Sequence, residues 1–236
     1  MNNARTGPFW INPDDESVEF PNIELALRDP DGLLAIGGDL SPARLISAYR
    51  NGIFPWYNED QPILWWSPDP RAVLFPNQLH VSRSLQKEMA KNDYTVTINT
   101  AFQRVMEACA QPRKDGHGTW ITAAMIEAYC RLHTMGFAHS VEIWHGGELS
   151  GGIYGVGLGR VFFGESMFGR RTNASKLAFV HLVRRLHDSN YALLDCQVHS
   201  AHVKRFGAGF ISRKEFTGLL KQWCASGASN ILLSGE

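Results

Sequence analysis

Apolar and polar positions follow two different periods over the last two-thirds of the chain, and each change of period marks a new element. Alternation with a period of two predicts strands, and apolar residues three and four positions apart predict helices. The predicted elements are a strand over 93–99, a helix over 100–110, a helix that Thr122 caps and that ends before Gly136, strands over 140–144, 148–156 and 160–168, a helix over 173–188 with a polar cap, a strand over 191–198, and a helix that opens on the capping box Ser212-Arg213-Lys214-Glu215. Three consecutive strands set among helices predict an α+β fold rather than a doubly wound one.

The first 70 residues have a different pattern, rich in proline, glycine and tryptophan, with one well-marked helix. Ser41 is suited to cap this helix, Pro42 fits its first turn, and Gly52 ends it. The change of pattern predicts a small N-terminal domain over 1–70, packed on a larger domain over 71–236.

Between residues 31 and 71, three tryptophans lie outside the predicted helix. Trp56 follows Phe54-Pro55, and Trp65 and Trp66 precede Ser67-Pro68. Large aromatic area in connections is typical either of packing between domains or of a surface on which a flat ligand stacks. Both interpretations stay open for these residues.

Composition describes an ordinary globular protein. The chain has 236 residues, of which 44% are hydrophobic and 19% are charged, and no apolar run is long enough to span a membrane. The N-terminus lacks the apolar core of a secretory signal, and the four cysteines form no C-x-x-C pair. These features predict a cytoplasmic protein with reduced thiols.

Charge narrows the possible partners. With 23 basic and 23 acidic residues the net charge is zero, which argues against a protein that covers nucleic acid with positive charge. A local basic strip is still possible, since Arg83, Lys87 and Lys91 would align on one face if residues 80–91 are helical. The same pattern is also typical of a solvated helix face.

The strand predicted over 191–198 carries an acid and an amide among apolar residues. Asp195 and Gln197 would project to one face and Cys196 to the other. Polar groups are costly to bury unless they have partners, so this pair belongs either to a structural hydrogen-bond network or to a site. Cys196 is interpreted as a small buried apolar side chain rather than a nucleophile, because no histidine is placed by sequence to activate it.

The strand predicted over 160–168 contains a single carboxylate, Glu165. Alternation would place it on one face with Phe163 and Met167, opposite the face that carries Phe162, Gly164, Ser166 and Phe168. Glu165 is therefore either part of a structural ion pair or a site carboxylate.

Several common sites are excluded. The glycines over 151–159 lie between strands and contain no G-x-G-x-x-G, and the chain has neither a Walker loop nor a G-x-S-x-G elbow. His199 and His202 form a close histidine pair without a third ligand, so no metal site is predicted.

Seven segments carry a family resemblance. In chain order they are GLLAIGGDLSP, GIFPW, ILWWSPDPRAVL, GTWIT, FFGESMF, NASK and LLDCQV, and they extend from about residue 20 to residue 197. Together they resemble the leucyl/phenylalanyl-tRNA–protein transferases. The resemblance implies a fold of the acetyltransferase superfamily (GNAT-like), with a mixed, largely antiparallel sheet. It also implies a cofactor-free, monomeric enzyme that moves Leu, Phe or Met from aminoacyl-tRNA to proteins beginning with Arg or Lys, which marks them for degradation.

The resemblance also implies roles for individual residues. Asp195 would hold the incoming amine, Gln197 would donate to or relay a proton around the tetrahedral centre, and Glu165 would line the site. It implies that the aminoacyl side chain binds in a pocket lined by Ile153, Phe162, Met167 and Leu182. The terminal adenosine would pack on Trp56 and Trp120. The rest of the tRNA would contact the strip Arg83, Lys87 and Lys91. Members of the family often carry Met at the position of Ile153 and Phe at that of Leu182, so the pocket of this chain has its own shape.

Two rival functions are considered. An acyl-CoA-dependent N-acetyltransferase would need a pyrophosphate loop of the type Arg/Gln-x-x-Gly-x-Gly/Ala, and Gly169-Arg-Arg-Thr-Asn173 lacks the second glycine. A non-catalytic module that binds tRNA or N-terminal residues would keep the aromatic and basic residues without needing both Asp195 and Gln197.

Overall fold

The computed structural model describes residues 7–112, 121–198 and 200–224, and two β-sheets divide these residues between them. The first sheet has the strand order β1-β2-β4-β3. Its strands are β1 (Phe9–Ile11), β2 (Leu33–Gly37), β3 (Phe54–Pro55) and β4 (Leu64–Trp66). Strands of two to five residues are too short to show a period of two, which is why the pattern of this part predicts only its helix.

The second sheet has seven strands in the order β11-β5-β10-β9-β8-β7-β6. They are β5 (Arg71–Leu74), β6 (Thr95–Ile98), β7 (Ala138–His145), β8 (Glu148–Leu158), β9 (Val161–Gly169), β10 (Leu193–Gln197) and β11 (Gly209–Ile211). Only β9 and β10 pair in parallel, and every other neighbouring pair in this sheet is antiparallel. The prediction of an α+β fold with a mixed, largely antiparallel sheet is confirmed.

Seven α-helices surround the two sheets in the described part of the chain. They are α1 (Pro42–Arg50), α2 (Arg83–Ala90), α3 (Phe102–Cys109), α4 (Ala123–Thr134), α5 (Ala174–Asp188), α6 (Ala201–Lys204) and α7 (Arg213–Trp223). Helices α3 and α4 contribute to one apolar core, which continues into α1 and the first sheet, while α5 covers the opposite face of the large sheet with a second core. The large sheet is therefore buried on both faces.

The structure confirms the predicted helices and the three-strand meander, with small differences at their ends. Ser41, Ser82, Thr122 and Ser212 each accept a backbone N–H in the first turn of the helix that follows. The polar cap predicted for α5 is wrong: Asn173 has a left-handed backbone with φ 65°, and its side-chain oxygen accepts from Lys176 Nζ at 2.9 Å instead of capping the helix.

The change from the small sheet to the large one falls between Trp66 and Arg71. The C-terminal helix nevertheless returns to the first part of the chain, where Phe216 lies against Gly52 and Arg213 Nη1 donates to Ile23 O at 3.0 Å. The division into domains over 1–70 and 71–236 stays a prediction.

Candidate active site

The parallel strands β9 and β10 separate after a short paired stretch, and a cavity begins there. Pairing covers Val161–Phe163 and Leu193–Asp195, after which β9 continues without β10. The cavity has a volume of about 440 Å³ and is bordered by residues 164–167, just past the pairing on β9, and by residues 194–198, which begin within the paired part of β10 and continue past its end. Residues of β3, α5 and α6 complete its wall.

Each of the two strands contains a bulge at the start of the cavity. Glu165 is the extra residue of β9, because Gly164 pairs with Gly155 and Ser166 pairs with Tyr154. A Cβ at position 155 would meet Phe163 O at 2.2 Å, so this close approach of the backbones needs glycine. On the other side of the cavity, Cys196 is the extra residue of β10 opposite β5.

The bulge in β9 overturns one prediction about side-chain direction. Phe163 and Glu165 both lie towards the core that contains α1 and α4, as expected. Met167, predicted on the same face, packs instead against the core under α5. One inserted residue reverses the alternation beyond it, and a pattern with strict period two does not show the insertion.

Asp195 lies at the floor of this region and is fully buried with Arg71 of β5. Arg71 donates from Nε to Oδ1 at 2.9 Å and from Nη2 to Oδ2 at 2.7 Å. The guanidinium lies 4.7 Å from the ring centroids of both Phe54 and Phe216, and the backbone N–H of Gln197 donates to Asp195 Oδ1 at 2.8 Å. Three donors already surround the carboxylate, which is 0% exposed, so an incoming amine could reach it only if the surrounding groups moved.

Gln197 is held in an uncommon conformation by this arrangement. Its φ is 60°, in the left-handed region, and its backbone N–H points at Asp195. Its side chain reaches the other strand, where Nε2 donates to Glu165 Oε1 at 2.7 Å. The sequence predicted Asp195, Gln197 and Glu165 as site residues. Arg71 was not predicted: it lies within the segment ILWWSPDPRAVL, but no local pattern marks it as the partner of Asp195.

Glu165 receives two further hydrogen bonds from buried tyrosines. Tyr49 donates to Oε1 at 2.8 Å and Tyr129 to Oε2 at 3.2 Å. Each hydroxyl has a single proton and uses it in that bond, so the close contact between the two hydroxyl oxygens carries no proton of its own. The pKa of Glu165 is raised to about 7: burial raises it most, the bonds from Tyr49, Tyr129 and Gln197 partly offset that rise, and the nearby Asp195 adds to it. The carboxyl group can therefore change charge near neutral pH.

The opposite wall of the cavity is apolar. Ile153 and Met167 pair across β8 and β9, and Phe179 of α5 and Leu194 of β10 lie beside them. Sequence analysis named the first two and missed Phe179 and Leu194, which nothing in the local pattern separates from other core positions.

Two residues predicted to line the aminoacyl pocket do not border the cavity. Phe162 belongs to the part of β9 that is still paired with β10; it is 1% exposed, and its ring lies edge-on to Tyr191 at 6.5 Å. Leu182 is 2% exposed in the core under α5. Phe162 is a core residue because β9 and β10 are still paired at its position. Leu182 is a core residue because, on α5, the cavity is bordered by Ser175 and Phe179 and does not extend to Leu182.

The three tryptophans of residues 31–71 divide into two kinds. Trp65 is fully buried and donates from Nε1 to Gly37 O at 2.8 Å, so it packs the interior. Trp56 is 41% exposed at the edge of the cavity, with the Trp66 ring 5.9 Å away and Trp66 Nε1 bonded to its carbonyl oxygen. Trp120 lies outside the described residues.

The predicted basic strip lies along α2. Arg83, Lys87 and Lys91 are all exposed, with Lys91 at the C-terminal end of the helix. Lys91 Nζ forms an ion pair with Glu88 at 2.8 Å, so its charge is partly neutralised. The role of this strip in binding tRNA stays a prediction.

Two other side chains of the wall have their chemistry limited by burial. Burial raises the pKa of the Cys196 thiol, which keeps it protonated and agrees with its interpretation as an apolar side chain. Burial also lowers the pKa of His202, which packs against the rings of Phe179 and Phe206. The other member of the predicted histidine pair, His199, lies outside the described residues.

The described residues contain neither a metal-binding cluster nor a membrane-spanning helix. Within residues 7–112, 121–198 and 200–224, no three His, Cys, Asp or Glu side chains are grouped so that they could hold a metal ion. Over the same ranges no helix is long and apolar enough to cross a membrane.

Comparison with known proteins gives two family matches and many similar chains. Residues 73–221 match the model of the leucyl/phenylalanyl-tRNA protein transferase family, and residues 38–69 match the model of its N-terminal domain. Relatives called leucyl/phenylalanyl-tRNA–protein transferase include one from Stutzerimonas stutzeri, 58% identical over 89% of this chain and 92% of its own. Others are from Nitrosospira multiformis, 59% identical over 90% of each chain, and Nitrosomonas europaea, 60% identical over 86% of each.

Similarity to solved structures is much weaker. The structure of L-PGS from Bacillus licheniformis aligns with a TM-score of 0.40 and 11% identity, over 82% of this chain and 62% of that one. A GCN5-related N-acetyltransferase from Kribbella flavida aligns with a TM-score of 0.37 and 10% identity, over 72% of this chain and 61% of that one. At such scores the acetyltransferase-like character of the large domain stays a prediction.

Proposed function

This chain belongs to the leucyl/phenylalanyl-tRNA protein transferase family, and we propose that it moves leucine, phenylalanine or methionine from aminoacyl-tRNA to proteins that begin with arginine or lysine. As a member of that family it is an enzyme. The transferred residue would mark the acceptor protein for degradation. We place this activity in the cytoplasm and assign it to a monomer.

The reaction we propose is direct aminolysis of the aminoacyl ester. The ester is already activated, and an α-amine with a pKa of about 8 is partly neutral near pH 7, so no covalent enzyme intermediate is needed. The amine nitrogen forms a bond to the ester carbonyl carbon, the bond to the 3′-oxygen breaks, and one proton passes from the amine to that oxygen. The protein has to orient the amine, stabilise the tetrahedral centre and assist this proton.

The observation that carries the proposal is the bond between Gln197 and Glu165 at the cavity. Because Gln197 Nε2 donates to Glu165, the amide oxygen of Gln197 is the atom left to accept an N–H of the incoming amine. Gln197 would thereby orient the amine and relay its proton. Glu165, hydrogen-bonded to the Gln197 amide, would line the site for the incoming amine. Its negative charge would suit an acceptor with a cationic N-terminal side chain.

Asp195 has a different role in this proposal from the one that the resemblance implies. Its carboxylate is occupied by Arg71 and by the Gln197 backbone. We therefore assign Asp195 to positioning: it fixes the left-handed backbone of Gln197 and so the direction in which the amide points.

The apolar wall supports the proposed side-chain preference. Ile153, Met167, Phe179 and Leu194 offer hydrocarbon and thioether surface without a charged group, which suits Leu, Phe and Met side chains. Trp56 at the edge would stack on the terminal adenosine, an interaction that contributes about 1–3 kcal/mol per base. Trp120 is proposed to take part in the same contact, and the strip on α2 to contact tRNA phosphates.

The test is transfer of radiolabelled Leu, Phe and Met from charged tRNA to peptides that begin with Arg, Lys or Ala. An Arg peptide with an acetylated N-terminus is the matched control, because it keeps the side chain and lacks the amine. Label on the free Arg and Lys peptides only is the expected result. Bound tRNA with no label on any peptide would contradict the proposal and favour a non-catalytic binding module.

A further inference from the structure

Two buried tyrosines hydrogen-bond to Glu165, and neither has a role in the transfer reaction as proposed above. Tyr49 comes from α1 and Tyr129 from α4, and both are 0% exposed. A hydroxyl in the core is costly unless it is hydrogen-bonded, and both of these hydroxyls point at the same carboxylate. Two helices from distant parts of the sequence thus each bring one donor to one group.

The donors determine what Glu165 can offer to Gln197. Tyr49 and Gln197 both donate to Oε1, while Tyr129 donates to Oε2. With three donors around it, the carboxylate acts only as an acceptor, and the amide of Gln197 must turn its N–H group towards it. Protonated Glu165 would instead have an O–H to donate, so the amide could reverse and present its N–H group to the cavity.

The electrostatics agree with this arrangement. The pKa of Glu165 is raised to about 7 because burial outweighs the lowering effect of the bonds from the two tyrosines and Gln197. Burial and the neighbouring Glu165 raise the pKa of both Tyr49 and Tyr129 well above the usual value, so they stay protonated donors at neutral pH.

Charged groups on the other elements around Glu165 are few. On β10, Asp195 raises its pKa, and the charge of Asp195 is balanced by Arg71 of β5. On β8, Tyr154 is fully buried, and its own pKa is raised by burial and by Glu165. The hydroxyls of Tyr49 and Tyr129 are therefore the donors from outside β10 that favour the ionised carboxylate.

We propose that Tyr49 and Tyr129 are positioning residues for the transfer reaction: they keep the Glu165 carboxylate as an acceptor, and this holds the Gln197 amide oxygen towards the incoming amine. The inference rests on the function proposed above. It adds that activity falls when Glu165 is protonated and that the two tyrosines determine the pH at which this happens.

Tyr154 offers a matched control for both tyrosines. Its ring lies edge-on to Tyr129 at 5.9 Å, and its hydroxyl has no hydrogen-bond partner among the described residues. The change Tyr154→Phe removes a buried hydroxyl from the same cluster without removing a donor to Glu165. It is expected to leave the titration of Glu165 and the rate of transfer as they are in the parent protein.

The first experiment follows the ionisation of Glu165 without any substrate. The full-length protein is labelled at glutamate carboxyl carbons, and its ¹³C signals are titrated by NMR, with Glu165→Gln identifying the signal. Tyr49→Phe and Tyr129→Phe should each raise the Glu165 midpoint by about one pH unit, and Tyr49→Phe by more because its bond is shorter. An unchanged midpoint in both variants would overturn the proposal, whatever the protein does with tRNA.

The second experiment measures transfer to an Arg peptide between pH 5.5 and 9. In both Tyr→Phe variants the acid limb of kcat should move to higher pH by the shift seen in the NMR titration, with activity recovering above pH 8. A loss of transfer that is equal at every pH would indicate a merely structural role and overturn the proposal. If the parent protein transferred nothing at any pH, the proposed function would fail, and the titration would still decide whether the tyrosines control Glu165.

Discussion

Two ion pairs in this molecule have nearly the same shortest N···O distance and very different surroundings. Arg71 and Asp195 are 2.7 Å apart with side chains that are 1% and 0% exposed, beside the cavity between β9 and β10. Lys91 and Glu88 are 2.8 Å apart on α2, with side chains that are 60% and 26% exposed. Water and salt screen the second pair, whereas the first has only protein groups to stabilise its charges.

The two pairs also differ in what is attached to them. Asp195 accepts the backbone N–H of Gln197, and the Gln197 side chain reaches Glu165 and, through it, two buried tyrosines. The side chains of Lys91 and Glu88 on α2 face solvent and do not connect, within the described part of the chain, to a buried hydrogen-bond network of this kind. Distance alone therefore does not indicate what an ion pair does, because burial decides how much of the surrounding structure depends on it.

The largest expected effect comes from breaking the buried pair. Asp195→Asn leaves the Arg71 charge buried without its counter-ion, and this should lower the free energy of unfolding by about 3–5 kcal/mol. Transfer should fall as well, because an asparagine amide offers a single oxygen to both Arg71 and the Gln197 backbone N–H and therefore holds Gln197 less firmly. Urea unfolding measures the first effect.

The matched control is Glu88→Gln, which breaks the exposed pair. It should change the free energy of unfolding by less than about 1 kcal/mol. Equal effects from the two substitutions would remove the distinction between the pairs.

The next effect concerns the pH dependence of stability that Glu165 introduces. Its pKa in the folded protein, about 7, lies above the ordinary glutamate value of 4.5, so its contribution to stability is complete below pH 4.5 and is lost as the pH rises through 7. Relative to Glu165→Gln, the parent protein should lose roughly 3 kcal/mol over this range, since one pKa unit corresponds to about 1.4 kcal/mol. Urea unfolding of both proteins at pH 4.5, 6 and 7.5 checks this, and a constant difference would contradict it.

Substitutions of Gln197 separate the effect on the transfer rate from the effect on protein stability. Gln197→Gly removes the amide but suits the left-handed backbone at φ 60°, so transfer should fall about 100-fold or more while the melting temperature changes little. Gln197→Ala should lose the same activity and also about 1 kcal/mol of stability, because alanine is strained there. Transfer assays and thermal melts of both variants test this, and substantial activity in the glycine variant would show that the amide is dispensable.

The smallest effect is expected on the exposed strip. Lys87→Ala should raise KM for tRNA by up to about fivefold with kcat unchanged and should weaken the salt dependence, as expected for loss of one phosphate contact. Lys91→Ala should do less, because Glu88 already neutralises part of that charge. Steady-state kinetics at two salt concentrations compare the variants, and a larger effect at Lys91 would show that the pair with Glu88 is not maintained in solution.

The sequence by itself determined the elements that repeat a local pattern. The meander of β7, β8 and β9, the helix after Ser41 and the strand that carries Asp195 and Gln197 are all as predicted, because their signals lie within a few neighbouring residues. Polar residues inside apolar strands were also enough to identify Asp195, Gln197 and Glu165 as candidates for a site. A local pattern can do this because an unpaired polar group is costly in any buried strand.

The tertiary structure decided which residues meet and which way they point. Arg71 lies 124 positions before Asp195, and Tyr49 lies 116 positions before Glu165, so no local period connects either pair. The bulge at Glu165 turned Met167 towards α5, and the late separation of β9 from β10 left Phe162 in the core rather than in the cavity. Strand pairing, bulges and contacts between distant segments depend on the whole chain packing at once, and that information is absent from the period of any single segment.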